Sequence, residues 1–176
     1  MPNGTTDQFV SLIRASLEKF YGKDPKMSPD YGRVINTRHL DRLKRFLGDG
    51  KVALGGVVDE KSRYFSPTVL TKVSWESPVM GEEIFGPVLP VLEYKGLDEV
   101  IGKLRRGPKP LALYLFSTNV EHQDRILREV SFGGGCINDT LMHLANCHLP
   151  FGGVGESGIG AYHGRGTAEL LDKGNP

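Results

Sequence analysis

The sequence has little cysteine, one tryptophan and no excess of charge of either sign. Its two cysteines, Cys136 and Cys147, make no disulfide framework and lack the spacing of metal ligands. That excludes a stapled secreted scaffold and points to a reducing, cytoplasmic compartment; no metal is expected. Lys plus Arg total 22 against 21 Asp plus Glu, a net charge of +1. Such a balance builds no basic stripe, so neither nucleic acid nor an anionic membrane surface is an expected partner. No apolar run approaches the ~18 residues a membrane span requires, and the N-terminus lacks a charged-then-apolar signal pattern. No membrane segment is expected, and no repeat of solenoid period is visible.

What is present is a chain of 176 residues, 39% hydrophobic, enough for a single domain with a real core over 1–176. Its 23 glycines and 11 prolines fall between periodic segments as punctuation rather than as low complexity. Thr5 and Gln8 have the spacing of a capping box, and Phe9, Ile13, Ser16, Leu17 and Phe20 share one face of the helix that would follow, up to Gly22. A second helix starts near Thr37, with Leu40, Leu43, Phe46 and Leu47 as its apolar stripe. His39 beside that stripe reads as a partly exposed surface histidine. Val52–Gly56 is a short strand entering a turn. Tyr64–Leu70 is extended, with Pro67 confining its start to an edge or loop position.

The centre of the chain alternates. A strand over Val88–Leu92 precedes a helix carrying Leu97, Val100, Ile101 and Leu104 and closed by Gly107-Pro108. Leu111–Phe116 is nearly all apolar, as expected of a strand covered on both faces. Ser117-Thr118-Asn119 caps a helix through Val120, Ile126, Leu127 and Val130, and Cys136–Asn138 is a last short strand. This rhythm predicts an α/β fold: a mostly parallel sheet with flanking helices, in which those three strands are consecutive. Lys103, Arg105 and Arg106 fall in a last helical turn, where cations offset the helix dipole, and need no anion site to explain them.

Two segments carry chemistry. In Met80-Gly81-Glu82-Glu83-Ile84-Phe85-Gly86-Pro87-Val88-Leu89-Pro90-Val91, two carboxylates lie on the turn that feeds a strand, where side chains can reach a ligand. The plain alternative makes Glu82 and Glu83 a solvated turn and Phe85 a core anchor. The second segment, Leu149–Gly164, is rich in glycine but has no Gly-Lys-Ser/Thr and lacks the third glycine of a dinucleotide turn. A close-packed, sharply turning loop is its better physical reading. Cys147 abuts His148, yet neighbours on an extended chain point to opposite faces; both cysteines read as structural thiols.

Glu-Glu-Ile-Phe-Gly-Pro-Val resembles a signature of the aldehyde dehydrogenase superfamily, and Pro150-Phe151-Gly152-Gly153…Ser157-Gly158…Gly160 resembles that family's C-terminal glycine-rich segment. Tyr64–Leu70 and Lys109–Tyr114 match in the same order, so the resemblance runs from about Phe9 to Gly166. The Tyr162-His163-Gly164 ending is similar to the class 3, or fatty aldehyde dehydrogenase-like, branch. The tail 167–176 departs from it. The resemblance implies that Glu83 binds the nicotinamide-side ribose of NAD or NADP and that Phe85 lies against the nicotinamide. It also implies an aldehyde substrate and a homodimer for the full-length enzyme.

The family's reaction needs a cysteine thiolate to attack the aldehyde, an acceptor for the hydride, and a water activated by a carboxylate to release the acid. The nucleophile usually lies in a Gly-Gln-x-Cys segment. Neither Gln8 nor Gln123 stands in that setting, so no catalytic nucleophile is assigned within these residues. The chain therefore resembles the latter part of the catalytic domain, without the nucleophile loop and the dinucleotide-binding domain. It is expected to be inactive alone and not to hold the cofactor tightly. Two other functions fit the same scaffold: a non-catalytic module associating with full-length subunits, and part of a semialdehyde or acyl-phosphate reductase. Tyr162-His163-Gly164 favours the aldehyde dehydrogenase over the reductase.

Overall fold

The computed structural model describes residues 1–163, and the divergent tail 167–176 lies outside them. The chain forms two compact units, one from Met1 to Lys95 and one from Gly96 onward.

In the first unit, α1 (Thr6–Tyr21) packs through Val10, with Phe9, Ile13 and Leu17 around it, onto Leu54, Val69 and Val91. Thr5 does occupy the N-cap position, but the capping box does not form. Its backbone is already helical, and its hydroxyl donates to Pro2 O at 2.7 Å. Phe20, on the expected stripe, is instead two-thirds exposed at the helix end. The second helix, α2 (Thr37–Arg45), runs into a 3-10 turn at Phe46–Gly48. Leu40, Leu43 and Phe46 are buried there with Phe65, Leu70, Val79 and Val88. Burial of such side chains stabilises by about 1.5–3 kcal/mol each.

The strands of this unit are β1 (Lys51–Leu54), β2 (Val58–Asp59), β3 (Tyr64–Phe65), β4 (Thr68–Thr71) and β5 (Val88–Pro90). β2 and β3 form an antiparallel hairpin, while β4 is central in a sheet of order β1-β4-β5, antiparallel to β1 and parallel to β5. Pro67, which cannot donate to a ladder, separates β3 from β4 as its chemistry requires. Gly55, at φ 76°, lies so close to the Pro67 carbonyl that a Cβ there would sit 2.0 Å from its oxygen.

The second unit alternates as its periodicity predicts through α3 (Leu97–Arg106), β6 (Ala112–Leu115), α4 (Val120–Glu129) and β7 (Gly134–Ile137), the last beginning two residues before the expected Cys136. A short helix that periodicity does not announce, α5 (Met142–Ala145), follows. β6 and β7 are parallel, with Tyr114 opposite Cys136. Ile101, Ile126 and Val130 form the core under them, packed against Leu97, Leu104, Leu113 and Leu115. The mixed α/β class is as expected, but the single parallel sheet is not. The strand at Val88 pairs with β4, whereas β6 pairs with β7 in a separate ladder. Alternating periodicity specifies strand, crossover and direction; it carries no record of which strand lies beside which. The strand expected over Leu111–Phe116 is confined to Ala112–Leu115, each residue only half-buried, with Leu111 and Phe116 exposed beyond its ends.

Candidate functional site

Helix α2 builds one side of the site. Asn36 caps it, its side-chain oxygen accepting from the His39 N–H at 2.8 Å. While Leu40 and Leu43 point into the core, His39 and Arg42, three apart, share the adjoining face and meet the turn that precedes β5. Arg42 Nη1 donates to Glu82 Oε2 at 2.9 Å and to the Glu83 carbonyl at 3.2 Å, and Nη2 donates to the Ile84 carbonyl. Its guanidinium carbon sits 5.4 Å from the centre of the Phe46 ring. Arg42 Nε donates to His39 Nδ1 at 3.3 Å, so that nitrogen is an acceptor and the ring proton is on Nε2. Nε2 in turn donates to the Phe85 carbonyl at 2.6 Å.

Two side chains thus hold four successive residues, Glu82 to Phe85. The planar guanidinium fork suits the task, presenting several donors in fixed directions. Phe85, at φ 44°, lies in the left-handed region that a bulky residue rarely adopts, and the hydrogen bonds from His39 and Arg42 to the carbonyls of residues 83–85 hold it there against that steric cost. The next residue, Gly86, passes directly over Leu43, where a Cβ would come within 2.5 Å of Leu43 Cδ2.

The consequence is a clear division of roles. The Glu82 carboxylate is committed to Arg42. Among the described residues, the Glu83 carboxylate has no hydrogen-bond partner and faces solvent. Phe85 is 73% exposed, so it is not the core anchor that composition alone favours. Its ring borders a groove of about 850 Å³ whose walls include Tyr31, Arg33, Asn36, His39 and Arg42. Glu83 stands on the same turn but is not part of that wall. Tyr31, whose hydroxyl donates to Phe65 O at 2.8 Å, is half-buried, and desolvation pushes its phenol well above the usual range. The Glu83 carboxylate is free to accept from two hydroxyls, and Phe85 offers an exposed aromatic face on the same turn.

The glycine-rich segment is a closed loop. Phe151 and Tyr162 exchange both backbone hydrogen bonds, at 2.7 and 2.9 Å. A Cβ on Gly152 would lie 2.2 Å from Gly160 O, and one on Gly153 would lie 2.2 Å from Ser157 O. At both positions the loop's own backbone occupies the space a side chain would need. Among the described residues no group of three or more His, Cys, Asp and Glu could hold a metal ion. Cys147 is exposed and the backbone N–H of its neighbour His148 donates to Asn146 Oδ1. Cys136, by contrast, faces the side chain of His143, with Sγ 3.8 Å from Nδ1.

His39 and Arg42 are the site residues that the motif alone does not disclose. Their spacing on the polar face of an amphipathic helix is ordinary, and the turn they hold lies about forty residues further on.

The sequence profile of the aldehyde dehydrogenase family matches residues 1–172. A dimeric NADP-preferring aldehyde dehydrogenase of Rattus norvegicus is 48% identical over 165 residues, 94% of this chain and 36% of its own length. Aldehyde dehydrogenase family 3 member B1 of Homo sapiens is 48% identical over 159 residues, 90% of this chain and 34% of its own. A solved structure described as the substrate-bound state of Staphylococcus aureus AldH superposes with a TM-score of 0.90 at 48% identity, covering 96% of this chain and 37% of that one. The chain thus spans about a third of the length of these relatives. With the profile matched along nearly its whole length and its relatives among the class 3 enzymes, the chain belongs to the aldehyde dehydrogenase family.

Proposed function

We propose that the turn Glu82–Pro87, held by His39 and Arg42, is part of the nicotinamide-side wall of an NAD(P)-dependent enzyme that oxidises aldehydes to carboxylic acids. The observation that carries this reading is the pairing of an uncommitted Glu83 carboxylate with an exposed Phe85 ring on one rigidly held turn. Glu83 accepts hydrogen bonds from the two hydroxyls of the ribose, and a charged acceptor makes these stronger than a neutral one would. Phe85 limits drift of the ring attached to that ribose. The cofactor supplies the hydride acceptor; the wall supplies its orientation, on which the near-attack geometry depends. Full-length, such an enzyme is a cytoplasmic homodimer in this reading. Support comes from the dimeric relative and from the scarcity of cysteine; among the described residues no helix is long and apolar enough to cross a membrane.

The test uses a full-length protein carrying this segment. Glu83→Gln should slow the hydride step by ~1–3 kcal/mol, the usual loss when a charge-assisted hydrogen bond is weakened. Glu82→Gln should do much less, because an ion pair whose carboxylate is half-exposed contributes only about 0–1 kcal/mol. Pre-steady-state hydride transfer distinguishes them; equal effects, or a larger one from Glu82, would reverse the assignment.

A further inference from the structure

The second unit contains a thiol–imidazole pair that the cofactor wall does not use. Cys136 lies on β7 and His143 on α5, with Sγ 3.8 Å from Nδ1. Several independent features produce that approach. Strand alternation puts Gly134 and Cys136 on one face. Gly134 lies directly under the imidazole: a Cβ there would be 2.5 Å from His143 Cδ2, so only glycine lets the ring settle beside the sulfur. Between β7 and α5 the chain reverses through Asn138 and Leu141, both non-glycine residues at positive φ, 56° and 60°. That reversal carries His143 back over the strand it has just left. The ring is then flanked by Tyr114 and Phe151, with centroids 5.6 and 6.0 Å away. His143 is buried, while Cys136 is half-buried.

We propose that Cys136 and His143 form a covalent modification site for uncharged soft electrophiles, α,β-unsaturated carbonyl compounds above all. Sulfur attacks the β-carbon of such a compound as its proton passes to His143 Nδ1. The π pair of the C=C bond moves to the α-carbon, which takes a proton back from the imidazolium. One S–C and one C–H bond form, the S–H bond and the C=C π bond are lost, and nothing leaves. No oxidant is needed, and the adduct carries the whole mass of the electrophile. The aromatic rings around the imidazole favour a neutral, flat electrophile over an anionic one. Cys147, exposed and beyond hydrogen-bonding contact with this histidine, is the internal reference.

The experiment labels the folded chain with limiting N-ethylmaleimide, and in parallel with but-2-enal, and follows the Cys136 and Cys147 peptides separately by mass spectrometry. In the unmodified sequence Cys136 should react faster than Cys147 although it is the less exposed; slower labelling of Cys136 overturns the proposal. His143→Gln should slow Cys136 roughly tenfold or more, against the ~100-fold of a fully engaged general base, and leave Cys147 unchanged. An unchanged Cys136 rate in that variant also overturns it. Loss of folding cannot imitate the expected result, because it would expose Cys136 and speed its labelling; the comparison in the unmodified sequence would then decide alone.

Discussion

Arg42 holds the Glu82–Pro87 turn from outside the motif itself. Its side chain is only 18% exposed, and it supplies donors to three residues of the turn as well as to His39. Removing it leaves the Glu83 and Ile84 carbonyls without this donor and frees His39 Nδ1. Arg42→Ala should therefore destabilise the chain by ~1–3 kcal/mol, the range for hydrogen bonds to a charged group. Arg42→Lys should restore little, because a single ammonium cannot span the same acceptors. Urea unfolding followed by tryptophan fluorescence measures both; an unshifted midpoint for Arg42→Ala would show that the turn holds itself. At the same scale Gly86→Ala, which drives a methyl into the fully buried Leu43, should cost about 1–3 kcal/mol by overpacking.

Between elements, an acid-sensitive contact joins the 3-10 turn at Pro25–Met27 to the hairpin β2–β3. Lys26 Nζ lies 2.7 Å from Asp59 Oδ2, and the Ser62 hydroxyl donates to the same oxygen at 2.8 Å. Together, the lysine first, they hold the Asp59 carboxyl well below its ordinary value of 3.8. A depressed folded value means that the folded state binds the proton less readily than the unfolded one. The contribution is fully present above the unfolded value and is lost as pH falls below about 4 toward the folded one. Stability measured against pH should thus be flatter below pH ~4 in Asp59→Asn than in the unmodified chain. Superimposable profiles would mean that the contact adds nothing beyond what solvent screening leaves.

On the scale of the whole molecule, the βαβ unit β6–α4–β7 invites comparison with a dinucleotide-binding half, and the amides of its connection are taken up within the chain. The Asn119 side chain caps the His122 N–H, the Ser117 hydroxyl takes the Asn119 N–H, and Asn138 takes the Ser117 N–H. Amides that would have to face a pyrophosphate are occupied by the chain's own side chains. We predict that the 176-residue chain neither oxidises aldehydes nor holds NAD(P) tightly. Absorbance of NAD(P)H with a medium-chain or aromatic aldehyde tests the first point, and calorimetric titration the second. Turnover that survives both Cys136→Ala and Cys147→Ala would reveal a nucleophile outside the two thiols.

Elements of this protein could be read from local pattern wherever local physics decides them. Leu40, Leu43 and Phe46 recur at helical spacing, Asn119 caps α4, Pro67 breaks an extended run, and the glycines of 152–160 mark a loop whose backbone crosses itself. The motif at Glu82–Pro87 was legible as a resemblance, and it marked a turn without saying what held it. Tertiary structure decided the rest. Phe85 is exposed rather than buried because Arg42 and His39, forty or more positions earlier, bind the backbone around it. Cys136 faces His143 rather than remaining an isolated thiol because Gly134 and a reversal at Asn138–Leu141 fold α5 over β7. Strand Val88–Pro90 pairs with β4 rather than β6. Periodicity encodes which way each side chain faces along its own element; contacts between distant segments depend on long-range packing, which no local spacing records.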